Sequence, residues 1–93
     1  LDYYSKKKLY LELEEELPKA EHDFYLLSHY RKVVLAEQMK NAAENGAKTS
    51  ASQERDARSS EEYKNVLEAG AEALERKTRL WMKYNKVRRE LGL

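Results

Sequence analysis

Cysteine is absent from the 93 residues, which excludes a disulfide framework and any thiolate metal site. One proline and three glycines are too few for the many tight turns an all-β domain of this size requires. Isoleucine is missing, as is any apolar run long enough to cross a bilayer, and no basic-then-apolar leader opens the chain, so a soluble protein of the cytoplasm is expected. No charge of one sign dominates either: 18 Lys and Arg against 17 Asp and Glu leave a formal net charge of +1. What is present is charge in quantity, 38% of residues, beside a 41% hydrophobic set rich in Leu and Ala, the profile of long exposed helices. This length makes one domain at most. Residue 1 is Leu, from which the chain is expected to be a piece of a longer reading frame.

The chain divides once. Helix-forming sequence runs over about 2–44, and Asn45-Gly46 then supplies the left-handed conformation that ends a helix. Ser50 with Gln53 and Ser59 with Glu62 each fit a capping box, predicting a short helical tip within about 45–59 and a second long helix over about 60–91, closed by Gly92. Pro18 cannot donate to the carbonyl of Glu14, so a kink or a brief break is expected there.

Periodicity predicts how these helices pack. Tyr10, Leu13, Leu17, Ala20, Phe24, Leu27, Arg31 and Val34 alternate spacings of three and four, and so do Tyr63, Val66, Gly70, Ala73, Lys77, Leu80, Tyr84, Val87 and Leu91, with Lys77 out of character. The predicted fold is all-α, an antiparallel hairpin of long helices forming a single domain over 1–93. Leu67, Leu74 and Trp81 recur every seven residues beside the second seam, and two helices cannot cover stripes this wide. Self-association of two hairpins into a four-helix bundle is the expected remedy, with Phe24, Leu27, Leu67, Leu74, Trp81 and Tyr84 as core or oligomer contacts.

Charge is unevenly placed. Residues 76–93 hold seven cations against Glu90 alone, and Arg76, Arg79, Lys83 and Lys86 share one face. With Trp81 and Tyr84 nearby, this stripe is a candidate nucleic-acid contact, phosphates beside stacking rings. The competing reading has Glu12, Glu14, Glu15 and Glu16 lie opposite and neutralise it, with Trp81 and Tyr84 in the core. Lys6, Lys7 and Lys8 belong to the same end, with no acidic partner evident in the sequence. At the tip, Lys48, Arg55 and Arg58 are candidate partner contacts, or else serve only to satisfy the backbone of a short connection.

Catalytic constellations are missing from the sequence. His22 and His29 stand seven residues apart, roughly 10 Å along a helix and too far to chelate one metal. Neither has a carboxylate three or four residues away to orient it. The Ser-rich stretch has no nearby histidine base, and no glycine-rich phosphate loop occurs. A non-enzyme without cofactor or metal is expected.

Met39-Lys40, the run from Gly46 to Ala57, Tyr63-Lys64 and the aromatic-basic segment around Trp81 together resemble a group of small uncharacterised helical proteins of tailed bacteriophages and prophages. The resemblance covers roughly the last two thirds of the chain. It implies an accessory role in DNA metabolism. Two functions are therefore expected in competition: a helical adaptor binding itself and other phage or host proteins, or a DNA-associated factor in replication, recombination or packaging.

Overall fold

The computed structural model describes residues 2–93. Among the described residues there are three helices and no strand: α1 (Tyr3–Glu44), α2 (Ser50–Arg58) and α3 (Glu61–Glu90). The chain divides into two compact units, Leu1–Phe24 with Ala73–Leu93, and Tyr25–Glu72.

In the first unit the two helices run antiparallel. Lys6 meets Glu90, Tyr10 meets Tyr84 and Asp23 meets Arg76, so numbers rise along one helix as they fall along the other. Leu13, Leu17, Ala20 and Val87 are the buried residues of the seam, flanked by half-buried Tyr10, Phe24, Ala73, Lys77, Leu80 and Tyr84. Lys77 fits this apolar row because its ammonium lies over the Phe24 ring, 4.9 Å from the centroid. A cation held over a ring face is attracted by the ring quadrupole while its methylene stem packs as a hydrophobe.

The second unit packs Val34 and Leu35 of α1 against Tyr63 and Val66 of α3. Here one expected seam residue is displaced: Arg31 is exposed, and Ser28 takes the half-buried place. The guanidinium stays in water because a charge left unpaired in the seam would lose its hydration. Ala57, the buried residue of α2, and Arg58, which bonds both Glu54 and the Tyr63 hydroxyl, fasten the short helix.

Of the kink or brief break expected at Pro18, the break does not occur, since α1 is continuous through it. Glu14 and Pro18 lie on the exposed face, so the carbonyl deprived of a donor is open to water, while Leu17 and Ala20 hold both sides of the proline onto the seam. The capping residues are also shifted by one from expectation. Thr49, not Ser50, caps α2 in a box closed by Ser52. Ser60, not Ser59, caps α3 by accepting from the Tyr63 amide at 3.2 Å, while Ser59 ends α2 with its hydroxyl on the Arg55 and Asp56 carbonyls. Neighbouring hydroxyls are chemically equivalent as caps, and the turn geometry selects among them.

Gly46 and Gly92 end α1 and α3 with φ of 107° and 75°. Each sits in a paired closure in which the following amide reaches back five residues, Ala47 to Ala42 and Leu93 to Arg88. At the other end of α1, the Ser5 amide donates to the Asp2 carboxylate at 2.7 Å, and this bond holds the Asp2 carboxyl below its ordinary 3.8. Replacing Thr49 by Ala removes the α2 cap and is expected to lower stability by about 0.5–2 kcal/mol. Amide exchange should report this as faster exchange across residues 50–58, with the seam of the first unit unchanged.

Candidate functional site

Three aromatic side chains line one flank of the first unit. Tyr84 stacks on Tyr10 across the helices, with centroids 5.2 Å apart and planes at 16°. Trp81 meets Tyr84 edge-on at 5.6 Å, and its indole N–H donates to Glu21 at 2.8 Å. The Tyr84 and Tyr10 hydroxyls stand 3.2 Å apart, and Tyr84 also donates to Glu14 at 3.4 Å. Contact with the Tyr84 hydroxyl, and secondarily with the Glu14 carboxylate, pushes the Tyr10 phenol above its ordinary 10.0. Leu17, Pro18, Trp81 and Tyr84 with Glu14 and Glu21 frame an open recess of about 360 Å3.

The six residues expected as core or oligomer contacts are not part of the chain's own buried core. Phe24, Leu27 and Tyr84 are half-buried, whereas Leu67, Leu74 and Trp81 are exposed, Leu74 by 46% and Trp81 by 38%. Leu67, Leu74 and Trp81 lie beside the α3 seam and remain exposed, although α1 reaches Trp81 through Glu21.

The basic stripe separates into two kinds of residue. Arg76 pairs with Asp23 at 3.4 Å across the helices, and Arg79 pairs with Glu75 one turn back. Lys83 and Lys86 have no carboxylate within 4.0 Å among the described residues and line a groove with Lys6, Leu9, Val87 and Glu90. Glu14 accepts from Tyr84, and the carboxylates that pair directly with the stripe are Asp23 and Glu75. Lys6, for which the sequence offered no partner, reaches Glu90 at 3.7 Å. The signal was present, since Glu90 is the lone acid of a basic segment and antiparallel pairing brings it to residue 6.

At the tip, Lys48 and Arg55 are exposed, with Arg55 only 3.7 Å from Asp56. Arg58 is engaged instead. Its guanidinium bonds Glu54 at 2.7 Å and Tyr63 at 3.2 Å, and the Glu54 bond raises its already high pKa. The backbone of the connection is served by other groups, the Asn45 side chain donating to the Asn41 carbonyl and the Gln53 side chain to the Ala47 carbonyl.

Among the described residues, no three His, Asp or Glu side chains are grouped to hold a metal ion, and no helix is long and apolar enough to cross a membrane. No protein-family model matches the chain, and neither a curated protein nor a solved structure matches it.

Proposed function

We propose that this chain is a non-catalytic helical interaction module that works as a self-associated pair, two copies packing their helices into a four-helix bundle and offering Lys48 and Arg55 to other proteins. The observation that carries the reading is the exposed apolar row on α3, Leu74 and Trp81, with Leu67 seven residues earlier on the same helix. Trp81 is oriented by its bond to Glu21, so little side-chain freedom is lost on docking. Ordered, half-covered tryptophans beside a recess are the side chains that dominate binding energy at protein interfaces.

Light scattering on a size-exclusion column at micromolar concentration is expected to give twice the 11.0 kDa chain mass. A fully helical species that stays at the single-chain mass up to high micromolar concentration rules the proposal out.

A further inference from the structure

We infer that the end of the first unit, where Lys6, Lys83 and Lys86 edge a groove between α1 and α3, binds the phosphate backbone of single-stranded nucleic acid. Residues 2–10 and 83–93 carry seven cations, Lys6, Lys7, Lys8, Lys83, Lys86, Arg88 and Arg89, against the carboxylates of Asp2 and Glu90. Asp2 is occupied as the cap of α1, and Glu90 reaches only Lys6. The other six have no carboxylate within 4.0 Å among the described residues, in a chain whose net charge is only +1. Arg88 and Arg89 are accounted for by the end of α3, where cations complement the helix dipole. Lys7 and Lys8 are not, because they lie near the start of α1, whose first turn holds no acid. Gathering like charges at one end costs stability that a bound polyanion offsets.

The shape narrows the ligand. The groove holds about 460 Å3, floored by Leu9 and Val87, room for a sugar-phosphate segment with ammonium groups at its rim. On the same end of α1, Tyr4 is 81% exposed and borders a second recess of about 310 Å3 with Lys7, Lys8 and Leu11. An exposed ring beside lysines is the arrangement that stacks an unpaired base while its phosphates are neutralised, and duplex bases do not present that face. Exposed Glu12, Glu15 and Glu16 follow directly on α1 and would be repelled by an extended anionic bilayer, whereas a single strand can leave the site before reaching them.

This inference is independent of self-association, and the variants used to test it leave Leu74 and Trp81 in place. The probe is a fluorescein-labelled twenty-nucleotide oligo-dT, followed by anisotropy at several salt concentrations, with circular dichroism confirming that each variant is helical. Micromolar binding at low salt is expected, with log Kd rising against log salt by about 0.7 per phosphate neutralised. Lys83→Gln with Lys86→Gln should weaken binding at least tenfold and reduce that slope by about 1.4. Lys7→Gln with Lys8→Gln provides the same test away from the seam. Tyr4→Ala should cost about five- to tenfold on oligo-dT, from the lost stacking. Arg76→Gln with Arg79→Gln, whose guanidinium groups are already paired, should change affinity less than twofold. The inference is overturned by no binding at 50 µM protein in low salt, by equal losses from the Arg pair and the Lys pairs, by duplex binding as tight as single-strand binding, or by binding to phosphatidylserine vesicles without binding to the oligonucleotide.

Discussion

Leu13→Ala is expected to lower stability by about 2–5 kcal/mol, while Leu11→Ala, two residues away, changes it by no more than about 0.5 kcal/mol. Leu13 is 4% exposed and sits in the seam of the first unit, whereas Leu11 is 55% exposed. Truncating Leu13 leaves a cavity between two helices that have few other buried residues to close over it. Each kcal/mol moves the melting temperature of a domain this size by about 4–8 °C, so the Leu13 variant should melt at least 8 °C lower and the Leu11 variant within a few degrees of the parent. Thermal melts followed at 222 nm decide it. Equal shifts for the two would mean that α1 meets its neighbours through a different face.

The second large effect is expected at the exposed row of α3. Leu74→Gln with Trp81→Gln should convert the proposed self-associated pair to single chains, weakening the dimer by about six powers of ten if each of the four side chains removed from the pair contributes about 2 kcal/mol. Glutamine keeps helix propensity, so far-UV dichroism at the single-chain mass should persist. Met82→Gln is the control, because Met82 is exposed one residue further along and turned about 100° from Trp81 on the helix. Sedimentation equilibrium across a concentration series distinguishes the outcomes. A double variant that unfolds outright would place Trp81 in the chain's own core, and one that remains dimeric would move the interface elsewhere.

The all-α class, the stop at Gly46 and nearly all of both seams were legible from residue order because they rest on local rules. A three-four alternation places residues on one helix face whatever lies opposite, and Asn-Gly or a terminal glycine ends a helix through its own backbone freedom. Even the one discordant residue of the α3 seam, Lys77, was visible as an exception. Its explanation required Phe24, fifty-three positions away, to lie beneath it.

Tertiary structure decided whatever depends on register between helices or on choice among equivalent groups. Thr49 was selected over Ser50, and Ser60 over Ser59, because several adjacent hydroxyls can cap and only one in each set meets the amide. Pro18 remained inside α1 because buried neighbours fasten the helix on both sides while water serves the open carbonyl. Composition placed acids opposite bases, but side-chain reach across the helices determined that Asp23 takes Arg76, Glu90 takes Lys6 and Glu14 takes a tyrosine. The residues proposed for binding depend on the same kind of choice. Local pattern puts Leu74, Trp81, Lys83 and Lys86 on helix faces, and only the packed partner shows which faces are already covered, because burial and pairing belong to two segments at once.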